Sequence, residues 1–428
     1  MLVLESKLVG HPTQFALIDQ AIRAFQFVRN KALRYWIDTK GATKYDLNKQ
    51  CALLAAEFAW AKKLNSMARQ SAAERAWMAI SRFFDNCKKA ASGKKGYPRF
   101  QKDNRSVEYK TTGWKLSDDR KHLSLRDGFG IGSLKLLGSR NLNFYHLKQI
   151  KRVRLVRRAD GYYAQFCIDI DRTEDLAPTG RTIGLDMGLE SFYTDSNGEK
   201  VENPRYLRKS DVALRRAQRR MSRKKKGGAN RAKARKVLAR KHLKVSRQRK
   251  DFAIKTARAL VWSNDLIALE DLKVRNMLRT HHLAKSISDA SWSMFRGWVE
   301  YFGKVFGRVV IAVSPQYTSQ ACSVCHAMVK KSLSTRTHTC QCGCVLDRDH
   351  NAALNILAKA LKTTGGHPES NAWGEWTATA MEQSSAASSF AEPRIPCLLR
   401  TLRYRQVECQ RIKNSWVPEI DAQHAHAN

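Results

Sequence analysis

The sequence predicts a multidomain α/β protein in which a basic helical segment and a β module precede an α/β unit that carries a metal-binding insert. Three observations support this. The hydrophobic period shortens near residue 106, strands and helices alternate after residue 181, and five of the ten cysteines crowd between Cys322 and Cys344. At 428 residues and 43% hydrophobic composition, the chain exceeds the usual single-domain size and can build two or more cores.

Residues 18–92 carry apolar side chains at three- and four-residue steps with basic residues between them, as in IDQAIRAFQFVRNKALRYWID and SAAERAWMAISRFFDNCKKA. This reads as a basic helical subdomain. From about 106 to 171 the runs become short and β-prone, ending in VRLVRRADGYYAQFCIDID, where Ala159-Asp160-Gly161 marks a hairpin turn. A β-barrel or sheet module is expected, with the N-terminal strand a candidate to complete it.

After LAPTGR, the segment TIGLDMGLESFYTDSNGEKVENP reads as two strands around a Ser196-Asn197-Gly198 turn. A long basic helical region follows, then the buried-looking strand DLIALEDL. Another β run, GRVVIAV, leads into the cysteines, and a helix is expected from about Asn351 to Leu361. Residues 363–428 are rich in Gly, Ser, Ala and Glu without periodicity and are expected to form a disordered tail. No internal repeat is evident.

The formal charge is +40, from 78 Lys and Arg against 38 Asp and Glu, and a compact state so charged repels itself unless a polyanion neutralises it. Nucleic acid is the expected partner. Residues 205–250 hold 21 of these cations against one acid, Asp211. Like charges at i,i+4 destabilise a helix unless phosphates intervene, so Arg219, Arg220, Lys224 and Lys225 are expected to contact phosphates, which gives affinity without sequence information. Tyr35, Trp36, Trp77, Tyr97 and Phe100 interleave with basic residues; they could stack on unpaired bases, although most such aromatics belong to cores. No run of about 18 apolar residues occurs, and MLVLESKLVG lacks a secretory pattern. A reducing cytoplasm without membrane contact is expected.

Asp186 lies inside the apolar strand TIGLDMGL, where an uncompensated carboxylate would be costly. Glu270 ends LIALE, and Asp349 opens the amphipathic helix DRDHNAALNIL. Three acids at element ends can converge, and a convergent set of hard oxygen ligands suits two Mg²⁺ ions about 4 Å apart. Taken singly, Asp347 or Asp349 could be a helix N-cap and Glu270 a solvated strand end.

Cys322-Ser-Val-Cys325 and Cys340-Gln-Cys342 are separated by fourteen residues, a spacing at which two knuckles can present four thiolates to Zn²⁺. A redox pair or free thiols would leave one of the knuckles unexplained. The second pair is tighter than the first, so Cys344, His326 or His338 could substitute as a ligand.

On these residues the chain resembles the TnpB proteins of bacterial insertion sequences, relatives of the type V CRISPR effectors. GLDMGLESFYTDSNGEKVENP is similar to the family's first RuvC motif, IALEDLKVRNM to the second, SPQYTSQACSVCH with THTCQCG to its zinc ribbon, and DRDHNAALNIL to the third. The resemblance covers most of the first 362 residues. It implies an RNase H-like (RuvC) nuclease domain at 181–312 and 346–362, interrupted by a zinc ribbon at 313–345. It also implies a β-barrel wedge domain at 1–17 and 106–172 holding an inserted helical recognition domain at 18–105.

Its functional implication is RNA-guided cleavage of double-stranded DNA next to a short target-adjacent motif, with guide RNA and target DNA as partners and Mg²⁺ and Zn²⁺ as cofactors. That the cytoplasm is bacterial and the protein nucleoid-associated is implied by the resemblance alone. Carried over by position, Asp186, Glu270 and Asp349 are the catalytic, magnesium-binding acids, and Cys322, Cys325, Cys340 and Cys342 the zinc ligands. Arg336 falls where the family often has a basic residue near the active site. The second knuckle, Cys-x-Cys, departs from the Cys-x-x-Cys of many members. An alternative of another class is a catalytically silent guided DNA-binding regulator, against which the intact triad argues. A strand-joining transposase would need a different arrangement of acids or nucleophile.

Overall fold

The structure, a computed structural model, describes residues 1–89, 95–138, 141–332 and 335–364, and of His281 the backbone alone. The chain opens with β1 (Leu2–Val9) and passes into α1 (Pro12–Asp38), α2 (Lys44–Glu57), α3 (Ala59–Lys62) and α4 (Ser66–Lys88). The first helix starts six residues before the periodicity suggests, because Pro12 sits at N1 and His11 and Gln14 form a reciprocal capping box.

Six strands follow: β2 (Ser106–Lys110), β3 (Trp114–Leu116), β4 (His122–Leu125), β5 (Ser133–Leu137), β6 (Ile150–Arg158) and β7 (Gly161–Ile168). With β1 at the centre they form one antiparallel sheet in the order β2-β6-β7-β1-β5-β4-β3. The N-terminal strand therefore completes the module, and the 159–161 turn closes the β6–β7 hairpin. Its two edges, β2 and β3, are joined by only the three residues Thr111–Gly113, so the sheet must curl. The edges do not hydrogen-bond to each other, which makes it a half-barrel rather than a closed barrel. The helices share its core: Ile22, Phe25 and Ala72 are buried together with Val107, Leu134, Val153 and Phe166.

One ion network joins this helical insert to the sheet. Glu108 on β2, 2% exposed, accepts from Ser71 (2.8 Å) and Arg75 (3.2 Å) on α4, and from Arg152 (2.9 Å) and Arg154 (2.6 Å) on β6. Burial alone would raise its pKa, but Arg75, Arg152, Ser71 and Arg154 outweigh that and bring it from 4.5 to about 2. A carboxylate with a depressed pKa stabilises the fold above its ordinary value, and that stability is lost as pH falls from about 4.5 towards about 2. Glu108→Gln leaves three arginines facing one another, so we expect a cost of about 3 kcal/mol at neutral pH. Thermal unfolding checks this, and an unchanged Tm would refute it.

The second half contains β8 (Thr182–Asp186), β9 (Ser191–Asp195), β10 (Lys200–Glu202), α5 (Tyr206–Ser222), α6 (Ala229–Ser263) and β11 (Leu266–Glu270). It continues through α7 (Val274–Met277), α8 (His281–Ala290), α9 (Trp292–Val305), β12 (Val309–Val313), the short pair β13 (Thr337–Thr339) and β14 (Val345–Asp347), and α10 (Arg348–Thr363). The sheet order is β10-β9-β8-β11-β12, antiparallel across the first three strands and parallel across β8, β11 and β12. The strand alternation of β11 divides its faces. Ile267 and Leu269 pack with Val261 of α6 and with Phe295 and Val299 of α9, whereas Leu266 and Ala268 pack with Ile356 and Ala360 of α10.

The basic region folds as the α5–α6 hairpin around Leu214, Ala217, Leu238 and Val245. It reaches the first sheet where Arg247 donates to Asp160 (2.6 Å) and to the Tyr163 hydroxyl (2.7 Å) of the β6–β7 hairpin. Among the described residues, no helix is long and apolar enough to cross a membrane. Of the expected tail, Thr363 closes α10; residues 365–428 lie outside the described residues.

Candidate nuclease site

The parallel register sets Leu185 beside Leu269, so Asp186 and Glu270 end adjacent strands at one level, roughly 4.8 Å apart in backbone. In-phase neighbours project to the same face, here the face covered by α10. That helix comes unusually close at Gly184, where a Cβ would lie 2.3 Å from the Ala353 carbonyl and 2.8 Å from Leu357. Only glycine allows this approach. Asp349 stands one helical turn before Ala353, on the same helix face, and so is delivered to the end of the sheet.

Asp347 has a different job. It caps α10, accepting from the backbone N–H of Asp349 (2.9 Å) and His350 (3.3 Å), and pairs with Lys200 at 2.8 Å. Asp349 meets Arg348 at 3.2 Å and Arg336 at 3.7 Å; Arg336 also pairs with Glu190 at 2.6 Å.

Asp186 is half-buried, and among the described residues no basic side chain pairs with it. Burial, then the charges of Glu270 and Asp349, push its pKa from 3.8 to about 8 against the opposing pull of Arg348. Burial also raises Glu270, opposed by the Thr318 hydroxyl and by Lys359. A group of acids that destabilises its own ionised form needs cations, and carboxylate oxygens select hard divalent ones. The three carboxylates do not close to within 4.8 Å of one another: the two arginines hold Asp349 and Thr318 holds Glu270. Beside Glu270 a cleft opens, lined by Met187, Leu272, Trp292 and Arg296.

The cysteines do close. Cys322, Cys325, Cys340 and Cys342 place their sulfurs within 4.8 Å of one another, a set that can hold a metal ion. Cys322 also forms a second grouping with buried His338 and Cys344, so it is common to both. His338 Nδ1 contacts the Lys331 ammonium, and Cys344 accepts the Cys340 N–H through its carbonyl. His326 belongs to neither grouping. Thiols so crowded release their first proton easily and their last with difficulty. Burial raises Cys322, but the backbone N–H groups of Cys325 and Val324, with His338 and the Cys342 thiol, outweigh it and bring it to about 5. The Cys344 N–H lowers Cys342, but the neighbouring thiols push it up to about 12.

Arg219, Arg220, Lys224 and Lys225 are exposed around the end of α5, and among the described residues none joins an ion pair. Tyr35, Trp36 and Trp77 pack against the first core, whereas Tyr97 and Phe100 remain exposed. Three residues that shape the site escaped the sequence reading: Thr318, Asn351 and Asn355, all buried. Asn351 and Asn355 did carry a signal, as polar residues at the apolar phase of α10.

The family described as "Probable transposase" (OrfB_IS605) matches residues 165–281, and the Cas12f1-like TNB domain matches residues 292–356. A Streptomyces pristinaespiralis protein described as "Putative RNA-guided DNA endonuclease" is 33% identical over 367 residues, covering 82% of this chain and 88% of that one. "Putative RNA-guided DNA endonuclease InsQ" of Escherichia coli (strain K12) is 29% identical over 322 residues, covering 71% and 77%. A solved structure of the mini-RNA-guided endonuclease CRISPR-Cas phi3 overlaps 84% of this chain and 92% of its own at 10% identity and a TM-score of 0.44.

Proposed function

Because the chain belongs to the TnpB family, we propose that it is an RNA-guided DNA endonuclease of an insertion sequence, cutting double-stranded DNA with Asp186, Glu270 and Asp349. The observation that carries this reading is the convergence of those acids at one end of the five-stranded sheet, where Asp186 is held up at about 8. The strand order, with acids ending both central strands, supports an RNase H-like (RuvC) nuclease domain at 181–312 and 346–362. We assign 313–345 as its zinc ribbon, 1–17 with 106–172 as the wedge domain, and 18–105 as the recognition domain.

Two Mg²⁺ ions held by the three acids would activate a water and stabilise the leaving oxygen of a phosphodiester. Arg336, between Glu190 and Asp349, is positioned to meet a phosphate as that pairing loosens. Cys322, Cys325, Cys340 and Cys342 are the proposed zinc ligands, with Cys344 outside the set. Base pairing with the guide would read the target, while the protein supplies shape recognition, a short target-adjacent motif and cationic surface.

Sequencing the RNA that copurifies with the full chain identifies the guide. The ribonucleoprotein should then cut a matching plasmid only with Mg²⁺ present; no cutting across a library of flanking motifs would defeat the proposal.

The α5–α6 hairpin supports phosphate binding, and salt dependence tests it. Each neutralised phosphate contributes about −0.9 to the slope of log affinity against log salt for duplex and about −0.7 for single strands. Replacing Arg219, Arg220, Lys224 and Lys225 together by glutamine should flatten the slope by up to about 3.6. An unchanged slope would show that this surface faces solvent.

A further inference from the structure

Among the described residues, one hydroxyl holds the Glu270 carboxylate. Thr318, 4% exposed and four residues before Cys322, donates from Oγ1 to Glu270 Oε1 at 2.7 Å, with the Pro315 carbonyl a weaker second acceptor at 3.2 Å. The Thr318 carbonyl in turn accepts from Asn355 Nδ2 at 2.9 Å, and the same amide reaches the Ala321 carbonyl at 2.7 Å. Asn351 completes the frame, donating to the Ala321 carbonyl at 2.8 Å and accepting from the Ser323 N–H at 2.9 Å. The backbone on both sides of Cys322 is thus fixed to α10, the helix that carries Asp349.

Resting on the nuclease reading above, we propose that Thr318 is a positioning residue that fixes the orientation of Glu270 towards a divalent cation, and that Asn355 fixes Thr318 in turn. A glutamate at a strand end has several rotamers and two equivalent oxygens. One hydroxyl on Oε1 selects among them, and being neutral it adds no charge to compete with the cation. The β-branch of threonine restricts χ1 and so holds the hydroxyl in place. Hydrogen-bond partners of metal-binding carboxylates are worth about 10- to 100-fold in metal affinity or activity.

The test measures Mn²⁺ binding to the full chain, with its copurified RNA, by electron paramagnetic resonance. Zinc content and Tm are followed in parallel, with Asp186→Ala as the reference. Thr318→Val should weaken Mn²⁺ binding about 10- to 100-fold and raise the half-activating Mg²⁺ concentration in proportion. Thr318→Ser should restore both, with zinc content and Tm unchanged throughout. Wild-type Mn²⁺ affinity in Thr318→Val, while Asp186→Ala binds none, overturns the proposal alone. Wild-type affinity in Asp186→Ala overturns the nuclease reading beneath it. Should Thr318→Val not fold, Asn355→Ala, which frees Thr318 without touching Glu270, must show the same loss; wild-type affinity there overturns the proposal.

Discussion

In guided plasmid cleavage, Asp186→Ala is expected to cut at least roughly a thousand-fold more slowly than wild type, a loss of about 4 kcal/mol or more of transition-state stabilisation. Asp186 ends the central strand β8 beside Glu270, which ends β11, and α10, held close at Gly184, brings Asp349 to the same end of the sheet; on the proposed function these three acids hold the metal ions. Target binding should survive, since removing an acid from a chain of charge +40 does not weaken its attraction for phosphate. Glu270→Ala and Asp349→Ala should behave alike, while Asp347→Ala, which loses a helix cap, should keep part of the activity.

Stability gives an independent reading of the same residue. Between 3.8 and about 8 the folded protein holds a proton on Asp186 that the unfolded chain has released, so the residue's contribution to stability falls as pH rises. Without divalent cations, Asp186→Asn should therefore melt above wild type at pH 8. An Asp186→Ala protein that still cuts at the wild-type rate would defeat the assignment; one that no longer binds DNA would show the acid to be structural.

Cys325→Ser should lose zinc and unfold the segment between β12 and α10. Four thiolates around one Zn²⁺ supply an apparent free energy of roughly 10 kcal/mol or more in small zinc modules. Beyond the Thr318–Ser323 stretch that Asn351 and Asn355 fasten to α10, the strands among the segment's described residues, β13 and β14, are three residues each, and Val324, Met328 and Val345 remain exposed. Elemental analysis should find one zinc per wild-type chain. Cys344→Ser should be milder, because Cys344 lies outside the four-sulfur set and engages Cys340 through its backbone. The reverse ranking would move the ligand from Cys342 to Cys344; no zinc in the wild type, or full zinc retention in Cys325→Ser, would overturn the four-cysteine ribbon.

What the sequence made legible was what announces itself locally. A carboxylate inside TIGLDMGL, cysteines at knuckle spacing and a one-signed helical stretch each break a local rule; in the structure Asp186 ends a strand, four of the cysteines gather and the basic stretch is helical. The start of α1 was missed because its cap precedes its apolar period. The strand pattern left barrel and open sheet as alternatives, and the resemblance implied a barrel, because strand order and not strand pattern decides closure. Glu108, Gly184 and Thr318 gave little warning: their roles depend on partners dozens of residues away, across β6, α10 and β11 respectively. Glu108 in particular looks like an ordinary solvated strand residue until Arg75, Arg152 and Arg154 are seen around it.

The acids are made in order, and the last of them arrives late. Residue 349 follows residue 186 by 163 positions, and α10 must return against β8 before the three can meet. At ribosomal rates of about 5–20 residues per second, β8 waits roughly ten to thirty seconds for its partner helix, long after the cationic hairpin α5–α6 has emerged. On the proposed function, a nascent or prematurely terminated chain would therefore grip nucleic acid before it could cut. Truncations ending between β12 and α10 should behave as such binders, leaving DNA intact until the final helix is supplied.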